Sequence, residues 1–255
     1  MSLNRFNLDG KRALVTGSTR GIGWTLAKGL AEAGAVPVIN GRDRKKVAEA
    51  AGRLRDLGFG CEEMVCDVTD RSAVTRSVDF VERDSGPIDI LVNNAGKQDR
   101  APLETFEDEN WDQLMDLNVN SVFAVSRAVA QHMIARKRGK IINICSIQSA
   151  LARPSIAPYT ASKGAVANLT KGMCADWAQY NIQSNGLAPG YFETELTQAL
   201  VDDEAFSGWL CNRTPAGRWG QLDELVGAAI FLASDASSYV NGQILYIDGG
   251  MGACV

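Results

Sequence analysis

The sequence predicts an α/β chain, with seven short strands in one parallel sheet wound on both faces by helices. Three observations carry that prediction. Short apolar, β-branched runs alternate with longer helical stretches, the pattern of a sheet covered on both sides. The first run passes through a glycine-rich turn into a helix. No Pro/Ser-rich linker, internal repeat or low-complexity tract divides the chain, so its 255 residues are expected to form one domain over residues 1–255.

Strands are expected at Ala13–Thr16, Val36–Asn40, Cys61–Cys66, Ile88–Val92, Lys140–Cys145, Gln183–Leu187 and Ile244–Ile247. Helices are expected near Gly21–Ala33, Lys45–Leu57, Arg71–Asp84, Trp111–Ala135, Tyr159–Tyr180 and Leu222–Leu232. Strands joined by crossover helices fit a doubly wound sheet. From Tyr191 to Gly220 the alternation lapses into weakly patterned segments that follow a strand's carboxyl end. A stretch of that kind is expected to be a substrate lid.

The first strand ends in Thr16-Gly17-Ser18-Thr19-Arg20-Gly21-Ile22-Gly23. Glycines there allow a tight turn and close approach of a pyrophosphate, which then faces the helix's first N–H groups. Glycines also merely end strands. Strand, turn and helix in the required order make this a Rossmann-type dinucleotide site. The second strand selects the dinucleotide. An NAD site places a carboxylate at its end, whereas this chain has Asn40-Gly41-Arg42. Arg42 suits a 2′-phosphate, with Arg20 as a second cation, so NADP is the expected cofactor.

Tyr159 and Lys163 stand four apart on one helix and share a face. A tyrosine hydroxyl is a poor acid or base near neutrality unless a nearby cation favours the phenolate, which Lys163 supplies. Ser146, just past the fifth strand, is placed to donate a hydrogen bond to a substrate oxygen.

Composition narrows the alternatives. A net charge of −4 and no basic block beyond Arg42-Asp43-Arg44-Lys45-Lys46 give no reason to expect nucleic acid. Six cysteines without a C-x-x-C pair are expected to be free thiols. Met1–Asp9 lacks the pattern of a signal peptide, and no apolar run approaches the ~20 residues that span a bilayer; a cytoplasmic protein with no membrane partner is expected. His132 is the only histidine, in a helical stretch, and is expected to be structural. It excludes multi-histidine metal sites, and no metal is expected.

Over its whole length the sequence resembles the short-chain dehydrogenase/reductase family. Thr16–Gly23 resembles the T-G-x-x-x-G-x-G turn, Asp67-Val68 the adenine-binding pair, and Asn93-Asn94-Ala95-Gly96 the N-N-A-G segment. Asn118, Ser146, Tyr159 and Lys163 resemble the catalytic tetrad, and Pro189-Gly190 with Thr194 the P-G-x-x-x-T element at the nicotinamide. The resemblance implies hydride transfer between NADP(H) and a secondary alcohol or ketone. It implies cofactor contacts at Gly17, Thr19, Arg20, Gly21, Ile22, Gly23, Arg42, Asp67, Val68, Asn94, Ala95, Gly96, Tyr159, Lys163, Pro189, Gly190, Phe192 and Thr194. In the family the lysine also binds the nicotinamide ribose and the asparagine holds a water in the proton path. Ser149 and Ser162 do not occupy the matched catalytic positions. A homotetramer is also implied, built through the helices near Trp111–Ala135 and Tyr159–Tyr180, with Gln243–Val255 at a second interface.

Agreement is densest with members that act on sugar acids. It runs through Ile142–Ser146, Thr170–Cys174, Pro189–Glu195, Trp209–Arg213 and Arg218–Gly220. A small sugar acid or polyol is the expected substrate, held by Arg100, Ser146, Gln148, Arg153 and Tyr159, with Arg100 or Arg153 meeting its carboxylate. Asp99, in Lys97-Gln98-Asp99-Arg100, would repel that carboxylate if it faced the pocket. Two other readings stay open: a 3-oxoacyl-carrier-protein reductase or general carbonyl reductase, and a dinucleotide-binding sensor or scaffold without turnover.

Overall fold

Aliphatic side chains on consecutive residues, as in Ala13-Leu14-Val15, can be buried only if the strand is covered on both faces. The computed structural model, which describes residues 3–195 and 197–254, builds the chain on that rule. Leu196, within the expected lid, Val255, at the end of the expected tail interface, and Met1 and Ser2 lie outside the described residues.

Seven strands, β1 (Arg12–Val15), β2 (Val36–Gly41), β3 (Glu62–Val65), β4 (Ile90–Asn93), β5 (Gly139–Ile144), β6 (Ile182–Pro189) and β7 (Ile244–Ile247), form one sheet in the order β3-β2-β1-β4-β5-β6-β7. Every pairing is parallel. Leu14 lies between Val38 and Leu91 in register. Along β1 the side chains alternate between two cores. Ala13 and Val15 join Leu26, Leu30 and Leu54 on one face, while Leu14 joins Val74, Val78, Val129 and Met133 on the other.

The first face is covered by α1 (Gly21–Glu32), α2 (Arg44–Asp56) and, late in the chain, α9 (Val226–Ala233). The second is covered by α3 (Arg71–Phe80), α5 (Ser121–Arg136) and α6 (Ala157–Trp177). Strand order reverses on either side of β1, where β2 and β4 leave in opposite directions; a crevice opens at the carboxyl ends there.

Two expectations are corrected. The helix expected over Trp111–Ala135 is broken: α4 (Asp108–Met115) meets α5 through a wide turn, Asp116–Asn120, in which the Ser121 N–H donates five residues back to the Asp116 carbonyl. Such π-type turns widen the helix by one residue, and the buried Asn118 lies at the middle of this one. The segment expected to be weakly patterned carries two helices, α7 (Gln198–Val201) and α8 (Glu204–Arg213), the second capped by the Asp203 carboxylate. Its ends are tied together, since Gly220 N donates to Tyr191 O and Glu193 N to Gly220 O. Beneath it lies a small separate core of Ile147, Leu210, Trp219 and Met251.

Candidate active site

The glycine turn takes its shape from backbone angles that only glycine adopts easily. Gly17 and Gly21 have φ of +62° and +54°. Contacts then fix it in place. Thr16 Oγ1 accepts from the N–H groups of Asn94 and Ala95, and Asn94 Nδ2 donates to the Thr16 and Gly17 carbonyls. A Cβ on Gly23 would stand 2.4 Å from Asn94 Nδ2 and 2.5 Å from Gly17 O. One on Gly21 would meet nothing within 4 Å, because that residue faces open space. No side chain caps α1, so its first N–H groups are left for an anion. This cradle fits the pyrophosphate of a dinucleotide.

Asn40 is buried and fully used: its amide ties β3 to the glycine turn through Met64 O, Cys66 O and Gly17 N. The end of β2 therefore offers the sugar only Gly41 and exposed Arg42. A Cβ on Gly41 would come within 2.9 Å of Thr19 Cγ2, so glycine keeps this edge open. Arg20 reaches across to the segment after β6 and pairs with Glu195 at 3.1 Å, both side chains exposed. Arg53, which the sequence reading passed over, donates from α2 to the Thr19 carbonyl at 2.8 Å and lies over the Trp24 ring. No spacing in the sequence links those positions.

The four tetrad residues arrive from three elements. Ser146 follows β5, Tyr159 and Lys163 share α6, and Asn118 comes from the wide turn before α5. Lys163, though buried, keeps its ammonium 5.7 Å from the Tyr159 ring centre and donates to the Ile144 carbonyl at 2.7 Å. Asn118 Oδ1 accepts from Lys97 N, and its Nδ2 donates to Lys97 O and to Ser162 Oγ. Ser162 in turn donates to the Tyr159 carbonyl at 2.7 Å. Ser162, set aside as unmatched, is thus the tie between Asn118 and the tyrosine's helix. Burial pushes the neighbouring Cys145 thiol up to about 11, against the opposing charge of Lys163, which rules it out as a thiolate near neutrality.

One cleft of about 960 Å³ is lined by every expected site residue except Asn118, which lies just beneath it. At the end of the cleft where the substrate is expected, Ala101 N donates to Ser155 O and draws two loops together. Those loops carry Arg100 and Arg153. Burial, and then the like charge of Arg153, lower the proton affinity of the Arg100 guanidinium. Arg153 also lies over the Phe206 ring, at 5.7 Å. The expected conflict at Asp99 is relieved, because its carboxylate pairs with Lys97 at 2.7 Å. His132 stands apart from the cleft, bonded to Asp79 at 2.8 Å. All six cysteines are free, and no cluster able to hold a metal occurs among the described residues.

Residues 17–252 match the family model described as enoyl-(acyl carrier protein) reductase. Gluconate 5-dehydrogenase of Gluconobacter oxydans is 63% identical over 246 residues, 96% of each chain. The 2-dehydro-3-deoxy-D-gluconate 5-dehydrogenase of Formosa agariphila is 44% identical, over 100% of this chain and 97% of that one. A crystal structure of gluconate 5-dehydrogenase from Burkholderia cenocepacia, in complex with NADP and tartrate, superposes with a TM-score of 0.98 at 65% identity over all of both chains. The chain belongs to the short-chain dehydrogenase/reductase family. As a short-chain dehydrogenase/reductase it is an oxidoreductase. Among the described residues no helix is long and apolar enough to cross a membrane.

Proposed function

We propose that this chain oxidises the 5-hydroxyl of gluconate to a ketone with NADP and reduces 5-keto-gluconate with NADPH. The observation that carries the reading is the pair of guanidinium groups, Arg100 and Arg153, in the cleft that also holds Tyr159 and Ser146. Two like charges in a partly buried cleft are compensated by a bound anion, which a sugar acid's carboxylate provides. The names of the Gluconobacter and Burkholderia relatives support the same choice.

NADP, when bound, supplies the acceptor for the hydride. Around it the chain has distinct tasks. The glycine turn, from Gly17 through Thr19 and Ile22 to Gly23, and the start of α1 hold the pyrophosphate. Arg42, with Arg20 once released from Glu195, meets the 2′-phosphate. Asp67 and Val68 border the adenine; Asn94, Ala95 and Gly96 form the floor; Pro189, Gly190, Phe192 and Thr194 bound the nicotinamide end. Lys163 holds its ribose and stabilises the Tyr159 phenolate. Tyr159 takes the hydroxyl proton while Ser146 donates a hydrogen bond to the same oxygen, on which charge develops. Asn118 clamps residue 97 to the Tyr159 helix.

In the same reading, residues 191–220 close over the substrate and exclude water. The protein works in the cytoplasm as a homotetramer. Exposed Trp111 and Phe123, on α4 and α5, and Tyr246 on the edge strand β7 support two such contacts. Light scattering at micromolar concentration should give four times the chain's mass. The activity test is NADPH oxidation with 5-keto-gluconate, beside NADH, neutral ketones and a 3-oxoacyl thioester. Turnover should be highest with NADPH and the keto acid; preference for the thioester would replace this reading.

A further inference from the structure

We infer that Gln148 selects substrates bearing a hydroxyl beside the carboxylate, against 2-oxo-3-deoxy acids. The inference rests on the sugar-acid reading above and asks which sugar acid the cleft accepts.

Gln148 stands in the short turn after β5, where its N–H donates to Ser146 Oγ at 3.1 Å. Along that loop it comes between Ser146, at the reacting end, and Arg153, at the carboxylate end. It lines the cleft and is only 7% exposed. Its Nε2 stands 3.5 Å from Tyr191 Oη, at the base of the lid. Its carbonyl Oε1 is shut off from water and accepts no hydrogen bond. Arg153 Nε, in the same cleft, is a buried donor without a partner. Leaving a buried acceptor unpaired is costly, so this arrangement favours a ligand that supplies the missing donor.

The chemistry of the two orphaned groups defines that ligand. A guanidinium only donates and so recognises a carboxylate. An amide carbonyl only accepts; it gains nothing from a carboxylate or a ketone and pairs with a hydroxyl. A ligand hydroxyl reaches Oε1 while Nε2 keeps its contact with Tyr191 Oη, which holds the amide in this orientation. Gluconate carries hydroxyls at carbons 2 and 3, next to its carboxylate. In 2-dehydro-3-deoxy-gluconate, named for the Formosa relative, carbon 2 is a ketone and carbon 3 a methylene. Neither can donate, and Oε1 would remain unpaired. Sites built to bond a substrate hydroxyl reject the analogue lacking it far more strongly than a pocket senses a missing methylene.

The test measures kcat/KM for gluconate and for 2-dehydro-3-deoxy-gluconate with NADP, in the parent enzyme and in Gln148→Met and Gln148→Glu, with NADPH binding as the check on folding. The parent should prefer gluconate by about a hundredfold or more. Gln148→Met, similar in length but without an acceptor, should lose about tenfold to a hundredfold on gluconate while changing little on the oxo acid. Gln148→Glu keeps an acceptor and adds a charge, so it should weaken both acids yet keep the preference. Should Gln148→Met fail to bind NADPH, Gln148→Glu decides, and a preference lost in that variant would overturn the inference. Equal losses on both acids in Gln148→Met would overturn the inference, since the side chain would then be supporting the loop or presenting its N–H. A preference that survives Gln148→Met would also overturn it while leaving the gluconate reading intact. A parent that oxidises no gluconate removes the functional reading itself, and Gln148's role with it.

Discussion

The two ends of the sheet use the same kinds of side chain in opposite ways. At the amino ends, charges meet counter-charges. Arg12 pairs with Glu62 at 2.9 Å, Arg138 with Asp89 at 3.1 Å, and Arg136, at the close of α5, with Glu82 at 2.9 Å. Lys140, at the start of β5, is buried and donates to Ser237. At the carboxyl ends, Arg100 faces Arg153, Gln148 keeps an orphaned carbonyl, and α1 begins uncapped. At the amino ends the close charge pairs are of opposite sign, although Glu62 Oε2 and Arg136 Nε stay without a hydrogen bond. At the carboxyl ends like charges meet and a helix start is left open, an arrangement that a bound anion would complete.

If that division holds, substitutions at one end should change kinetics and those at the other stability. Tyr159→Phe removes the transferable proton and keeps the ring; steady-state kcat should fall by about a thousandfold, with the melting temperature and NADPH affinity nearly unchanged. Substantial residual turnover would show that another group does the proton transfer. At the opposite end, Arg136→Met leaves Glu82 buried without its cation. Urea denaturation should show a loss of about 3 kcal/mol, while kcat of the folded enzyme stays at the parent value. A kinetic defect there would break the comparison.

Arg42→Ala lies on the cofactor rim. It should weaken NADPH binding by about 1.5–3 kcal/mol and leave NADH binding unchanged, as read by fluorescence titration. Equal losses for both would mean that Arg42 does not meet a 2′-phosphate. The smallest effect concerns Lys140. Burial, partly opposed by Asp235, lowers its ammonium to about 8. Between that value and the ordinary lysine range the unfolded chain holds a proton that the folded chain has lost, so stability rises with pH across this window. The penalty is greatest below pH 8. Lys140→Met should flatten that rise in denaturation midpoints taken from pH 7 to 10, without altering activity at pH 7.

Local chemistry made much of the site legible beforehand. The Thr16–Gly23 turn, the four-residue interval from Tyr159 to Lys163 and the missing acid after Val36–Asn40 are short-range features. Each depends on backbone conformation or helical pitch within one element. The other contacts depend on segments that meet only in space. Continuous apolar spacing from Trp111 to Ala135 reads as one helix, and nothing in it marks the wide turn that carries Asn118. Asp99 reads as a repulsive charge until Lys97 is seen curling back to pair with it at 2.7 Å. Ser162, one residue from Lys163, gains its role only because Asn118 is brought against it.

By itself, then, the sequence determined the alternation of strands and helices, the glycine turn and which four residues are expected to form the tetrad. Periodicity and turn geometry act over a few residues, which is the range a linear reading covers. Tertiary structure decided which charges cancel and which remain for a ligand. The pairing of Ala101 N with Ser155 O sets Arg100 beside Arg153, and the wide turn sets Asn118 beside Ser162. Electrostatic and hydrogen-bond energies depend on separation and burial, and neither is fixed until the loops at the carboxyl ends of the sheet have closed on one another.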